Sequence, residues 1–183
     1  MADPLARPLA EVHEVGVVLR SLRGVWDEDS VDELDHALQA AARAIDDAAD
    51  DELVLAAALH DIGHSPLFGD VAACRHDSVA REWLTPRFGD RVGWLAGAHV
   101  AAKRYLVATD PDYASTLSDV SVDSLHHQGG AGVDPVFVEH PWWADALRLR
   151  GYDDAAKDPR ASAASIDDVM TVAEHVLQQR YSE

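Results

Sequence analysis

Apolar residues recur every three or four positions along most of this chain. Val12, Val15, Val18, Leu19 and Leu22 form one face of a helix over about residues 9–23, and Gly24 ends it. Val31, Leu34, Leu38, Ala41 and Ile45 form the face of a second helix, and Ser30 with Glu33 three residues later reads as its capping box. A third helix, capped by Asp50 or Asp51, carries an unbroken apolar run from Leu53 to Leu59 and ends in His60-Asp61. A run this dense predicts a central helix enclosed on every side. Gly63, Pro66 and Gly69 then break the chain.

The spacing predicts further helices over about residues 75–88 and 91–108, the latter stopped by Thr109-Asp110-Pro111. Residues 112–132 are less regular, with one short helix near 120–127 closed by Gly129-Gly130. Pro135 opens a helix that reaches past Asp154, with Pro141 kinking or dividing it. Ser165 and Asp168 open a last amphipathic helix to about residue 180. Alternating strand-like runs hardly occur. The expectation is an all-α protein of one domain, residues 1–183, with a core over about 20–158 and a C-terminal helix over about 165–180.

Length and charge narrow the function. A domain of 183 residues buries enough surface to need no disulfide, and its single cysteine, Cys74, has no partner in the chain. The opening Met1-Ala-Asp-Pro lacks the basic-then-apolar pattern of a signal peptide, and no apolar run approaches the ~20 residues of a membrane span. These features point to a cytoplasmic protein with no membrane partner. The net charge is -18, from 33 acidic and 15 basic residues, which disfavours nucleic acid as a partner. An anionic substrate would need a local cluster of cations inside a pocket.

Ten histidines are many for an acidic, alanine-rich chain of this length. Four of them, His36, His60, His76 and His99, fall on four successive predicted helices, each among apolar neighbours. Every buried imidazole needs a hydrogen-bond partner. A shared metal centre completed by Asp61 satisfies them together, whereas four independent core histidines would need four separate arrangements.

The order His36, His60-Asp61, His76, His99, Asp153 resembles the HD-domain superfamily, whose members are helical and bind one or two metal ions inside the bundle. The closer likeness is to its oxygenase branch, which includes the hydroxylated-aminoethylphosphonate dioxygenases and, more distantly, myo-inositol oxygenase. Leu34-Asp-His-Ala-Leu-Gln-Ala-Ala41, His60-Asp-Ile-Gly-His64, His76 with Ala80, Trp83 and Leu84, and His99-Val-Ala-Ala-Lys-Arg-Tyr-Leu106 carry it. So do Ser121 with Ser124-Leu-His-His-Gln-Gly-Gly130, and Ala146-Leu-Arg-Leu-Arg-Gly-Tyr-Asp-Asp-Ala-Ala-Lys157. The resemblance implies one ion held by His36, His60 and Asp153, a second by His76 and His99, and Asp61 as the bridge. Because the branch's last ligand follows an aromatic residue, Tyr152-Asp153 favours Asp153 over Asp154.

The resemblance further implies an Fe(II)/Fe(III) pair with O2 as co-substrate, and oxidative cleavage of a C–P or C–C bond in a small hydroxylated anion. Lys103, one turn after His99, would meet the anion as a point charge, with Ser121 and Gln128 beside it and His64 near the substrate's hydroxyl. The rival expectation is a dinuclear phosphohydrolase of a nucleotide or small phosphoester, which would use the same ligands with Mn or another divalent ion. One departure stands out. The branch places a Tyr ten residues before the first His ligand and a Glu seven before it, and here those positions are Trp26 and Asp29. An indole offers no oxygen to a metal, so Trp26 is expected to pack over the pocket mouth instead.

Overall fold

The structure, a computed structural model, describes residues 6–27 and 30–182. Among these residues the chain is helical, with no strand. The α-helices are α1 (Ala6–Ser21), α2 (Glu33–Asp46), α3 (Asp51–Leu59), α4 (His76–Phe88), α5 (Asp90–Thr109), α6 (Pro111–Thr116), α7 (Asp119–His127), α8 (Pro135–Val138), α9 (Trp143–Asp154) and α10 (Ile166–Ser182). Three short 3-10 turns, Ile62–His64, Pro66–Phe68 and Ala73–Arg75, connect α3 to α4.

The apolar run takes the centre. Every residue of α3 from Leu53 to Leu59 is buried, and α2, α5, α9 and α10 pack around it. α5 in turn packs on α3, α4 and α9. Burial of seven consecutive residues leaves α3 no polar face, so the only side chains it can present to a site are those at its end, His60 and Asp61.

Helix ends follow the local chemistry, with corrections to the sequence reading. α2 is capped by Asp32, not by a Ser30–Glu33 box. The Asp32 carboxylate accepts from the Asp35 amide at 3.0 Å, the Gly24 amide at 2.8 Å and the Arg23 guanidinium at 3.0 Å. A serine hydroxyl cannot accept from all three, so the carboxylate wins the cap and ties α2 to the end of α1. Glu33 is thereby freed to turn inward. Asp50 caps α3 through the Leu53 amide at 3.0 Å. At α10 the expected pair is reciprocal: Ser165 Oγ accepts from the Asp168 amide, and Asp168 accepts from the Ser165 amide. Pro141 divides the expected long helix into α8 and α9, and Pro111 opens α6, an element the periodicity did not predict.

Gly63 has a packing role. A Cβ there would lie 2.5 Å from the Cα of His76 and closer still to its carbonyl oxygen. The turn after His60-Asp61 therefore touches the first residue of α4 backbone to backbone. Gly63→Ala should force the two apart and destabilise the metal-free protein by about 1–3 kcal/mol. Chemical denaturation followed by circular dichroism measures this, and an unchanged midpoint would show that the approach is not constrained.

Candidate metal centre

Five elements deliver six side chains to one point. His36 comes from the middle of α2, His60 and Asp61 from the end of α3, His76 from the start of α4, His99 from the middle of α5 and Asp153 from the end of α9. Their donor atoms fall into two groups, His36–His60–Asp153 and Asp61–His76–His99. His36 Nε2 lies 3.5 Å from Asp153 Oδ1, and His60 Nε2 lies 3.6 Å from Asp153 Oδ2. Asp61 stands between the groups. Its Oδ2 is 3.1 Å from His60 Nε2 and 3.5 Å from His36 Nε2, while its Oδ1 is 3.4 Å from His76 Nε2 and 3.3 Å from His99 Nε2.

The hydrogen bonds test whether these residues suit metal ions. His36 Nδ1 pairs with the Ala156 carbonyl at 3.0 Å, His60 Nδ1 with that of Ala57 at 2.8 Å and His99 Nδ1 with that of Ala96 at 2.6 Å. A carbonyl accepts only, so each Nδ1 carries the proton and a neutral ring presents a bare lone pair at Nε2. Yet His36 Nε2 faces His60 Nε2 at 3.4 Å, and His76 Nε2 faces His99 Nε2 at 2.9 Å. Lone pairs converging at such distances repel unless a proton or a metal ion lies between them. Asp61 Oδ1 is buried without a hydrogen-bond partner, which would cost about 1–3 kcal/mol if nothing neutralised it. Imidazole and carboxylate donors of this kind suit iron, zinc or manganese.

Electrostatics agree with this fit. Burial raises the pKa of Asp61, but the charge of His60 and the imidazoles of His36, His60 and His99 around the carboxylate outweigh it and hold the carboxyl well below the usual range. Burial likewise opposes ionisation of Asp153, and Arg150 with His60 and His36 reverses it. Arg150 Nη1 donates to Asp153 Oδ2 at 2.5 Å, which fixes the carboxylate's rotation. Asp154 turns away, accepting from Tyr113 Oη at 2.8 Å and from Arg150. Of the two aspartates, Asp153 therefore joins the cluster.

A cavity of about 30 Å³ adjoins the cluster, and an outer vestibule of about 290 Å³ shares His64, Ser124 and Gln128 with it. Lys103 is 4% exposed, lines the cavity and donates to Ser124 Oγ at 2.6 Å. Ser121 is buried there and accepts from Lys157 Nζ at 3.2 Å. Gln128 lines the cavity with a buried side-chain oxygen that has no hydrogen-bond partner. His64 joins neither donor group. It sits on the 3-10 turn after α3 and stacks on His76 at 4.5 Å between ring centres, and burial pushes its pKa down.

Trp26 is 63% exposed, and its neighbour Asp27 lines the cavity in its place. The indole is therefore left to solvent and is not packed over the mouth as expected. Asp29 lies outside the described residues. A larger groove of about 650 Å³, between α1 and α10, is lined mainly by residues such as Leu9, Val12, Leu177 and Tyr181 and lies apart from this chemistry.

The sequence reading missed Glu33, Arg150 and Lys157, which also line the cavity. Two had a signal. Glu33 precedes His36 by three residues and Arg150 precedes Asp153 by three, spacings that place a side chain on a ligand's own helix face, whereas Lys157 lies past the end of α9 and had none. Glu33 is 2% exposed with one carboxylate oxygen unpartnered, and burial, reinforced by the Asp61 charge, pushes its pKa up to about 9.

Two outcomes test the centre. His76→Ala should leave one metal ion per chain, measured by metal analysis after anaerobic loading, and retention of two would show that His76 is no ligand. The second concerns protons. Burial lowers the His60 pKa, but Asp61 and Asp153 overcome it and push the group up to about 9 in the metal-free protein. Stability from this imidazolium is full below the unfolded value of about 6.5 and is lost as pH rises through the folded one. A ligating imidazole is neutral, so metal uptake at neutral pH should release protons, and the release should fade above pH about 9. An indicator dye during Fe(II) addition reads this, and proton-neutral uptake would contradict it.

Comparison with known proteins places this geometry in a family. No family model matches the chain. It is 35% identical over 161 residues to hydroxymethylphosphonate dioxygenase of Gimesia maris, covering 82% of this chain and 80% of the relative. It is 32% identical over 159 residues to the glycine-betaine-forming [1-hydroxy-2-(trimethylamino)ethyl]phosphonate dioxygenase of Leisingera caerulea, covering 78% and 81%. An uncharacterised protein of Acanthamoeba polyphaga mimivirus is 33% identical over 140 residues, covering 70% of this chain and 64% of the viral protein. With two relatives above 30% identity aligned over most of both chains, this protein belongs to the phosphonate dioxygenase branch of the HD-domain family.

Proposed function

We propose that the protein is a non-haem diiron oxygenase that uses O2 to cleave the C–P bond of a small hydroxyphosphonate. The observation that carries this reading is the buried Lys103, set in the same cavity wall as the two donor groups. A metal pair alone would serve hydrolysis or oxidation equally. A family of phosphonate dioxygenases together with a cationic pole beside the metals favours a phosphonate as the substrate and oxidation as the reaction.

His36, His60 and Asp153 would hold one iron, His76 and His99 the other, with Asp61 shared. When bound as an Fe(II)/Fe(III) pair, the metals supply oxygen activation and a Lewis-acid hold on the substrate's hydroxyl. The chain's own groups do the rest. Lys103 and Lys157 face the phosphonate oxygens as point charges, and Ser121, Ser124 and Gln128 complete a polar wall around them. Asp27 gives the cavity an acidic side, where Glu33, its pKa raised to about 9, stands as an uncharged carboxyl, so a dianionic head is drawn to the lysines at the other side. That polarity orients the substrate, with its hydroxyl-bearing carbon toward the metals and His64. Arg150 keeps the Asp153 carboxylate from rotating as charge in the site changes.

The test is anaerobic iron loading, followed by hydroxymethylphosphonate or 1-hydroxy-2-(trimethylamino)ethylphosphonate and then oxygen. Oxygen uptake matched by release of inorganic phosphate is expected, with a mixed-valence EPR signal that the phosphonate perturbs. Phosphoester turnover without oxygen uptake would assign the protein to the hydrolases instead. Lys103→Ala should raise KM on the order of tenfold or more while leaving two irons bound. Steady-state kinetics on the metal-loaded variant measure it, and an unchanged KM would remove Lys103 from the anion site.

A further inference from the structure

The cavity wall contributed by α7 is poorly packed for an element that carries binding groups. Of its nine residues only Ser121 and Leu125 are buried. Bonds from inside the cavity reach it, among them Lys103 to Ser124 Oγ and Lys157 to Ser121 Oγ. Each ammonium has three N–H donors, so it can hold a serine and an anion oxygen together. These bonds are shared with whatever binds there, so contacts outside the cavity matter for how α7 is held.

A further hold lies behind its C-terminus. Gly130 N–H returns to the Leu125 carbonyl at 2.9 Å, and Gly129 and Gly130 take φ values of +97° and +72°, a helix ending that glycine makes at no steric cost. Arg104, the residue after Lys103 on α5, then grips the loop that follows. Its Nε donates to the Gly130 carbonyl at 2.8 Å, and its own carbonyl accepts from Gly132 N–H at 3.1 Å. The guanidinium lies in a slot formed by glycines: a Cβ on Gly132 would stand 3.0 Å from its Nη2, and one on Gly129 3.6 Å from its Cζ. Consecutive residues of α5 thus reach α7 from two sides, Lys103 within the cavity and Arg104 behind it.

We propose that Arg104 is a positioning residue for anion binding: by clamping residues 129–132 it fixes the end of α7 and so places Ser124 and Gln128 around the anion. Arg104 itself does not line the cavity. Its effect passes through the loop, to Gln128 directly before the clamped glycines and to the two serines one and two turns earlier. The proposal rests on the reading of this cavity as an anion site but not on oxygen chemistry.

Inorganic phosphate is therefore a suitable probe, titrated by calorimetry into the anaerobic, iron-loaded protein. Arg104→Ala should weaken phosphate binding about tenfold, the equivalent of one charge-assisted hydrogen bond. Gly132→Ala should do the same from the other side, since its backbone is free of positive φ and only the guanidinium is displaced. The double variant should be no weaker than either single one, because both remove the same contact. Arg104→Lys should recover part of the affinity through one remaining donor. Hydrogen exchange over residues 119–132 should quicken in Arg104→Ala, while iron content and thermal midpoint stay at wild-type values. Full affinity in Arg104→Ala, additive effects in the double variant, or parallel loss of iron and phosphate would each overturn the clamp. Failure of the wild-type protein to bind phosphate would overturn the anion reading and the clamp with it.

Discussion

The structure depends on one carboxylate held between four imidazoles. Asp61 turns Oδ2 to His36 and His60 and Oδ1 to His76 and His99, all within 3.1–3.5 Å, deep in an apolar bundle. A buried carboxylate is tolerated only where positive charge or strong donors surround it. Three of the four imidazoles have their Nδ1 hydrogens engaged by carbonyls, which aims their Nε2 atoms inward. The arrangement is complementary to cations, and the fold arranges five elements to maintain it.

This requirement explains the architecture around α3. A helix buried on every face cannot carry a polar site along its length, so the polar pair sits at its end, where the chain leaves the core. The following turn must then bring α4 close enough for His76 to share Asp61, and a glycine at position 63 permits that approach. α5 brings His99 and, one turn on, Lys103. α9 brings Asp153 with Arg150 one turn before it and Lys157 shortly after the helix ends. Three of these helices, α2, α5 and α9, thus supply a second residue to the cavity at helical spacing, Glu33, Lys103 and Arg150, so the donor groups and the polar wall beside them are products of the same packing. Within the cavity the charges are separated. Lys103 and Lys157 oppose Asp27 in a protein whose net charge is -18, so positive charge is gathered locally against the global field.

Much of this could be read from the chain. Helical class follows from periodicity, because burial on one face imposes a repeat of three to four whatever the partners are. The candidate histidines stood out for a similar reason: polar rings among apolar neighbours on successive helices need a common explanation. Lys103 was legible because spacing from His99 fixes its direction. The converse also held. Glu33 read as a cap because Ser-x-x-Glu is a local pattern, yet Asp32 had better partners in Gly24 and Arg23. Trp26 read as a pocket residue by position in the chain, yet its side chain is left to solvent and does not line the cavity.

By itself, then, the sequence determined the helical class, the buried identity of α3 and the residues able to meet a cation, since these depend on residue type and spacing along one element. Only the tertiary structure decided how those residues divide into two groups around Asp61, that Asp153 and not Asp154 joins them, and that Arg150, Lys157 and Glu33 share the cavity. It also decided that Arg104 grips the loop behind α7. Each of these is a relation between elements far apart in the chain, set by how helices pack and where loops return, and spacing within a single helix carries no record of it.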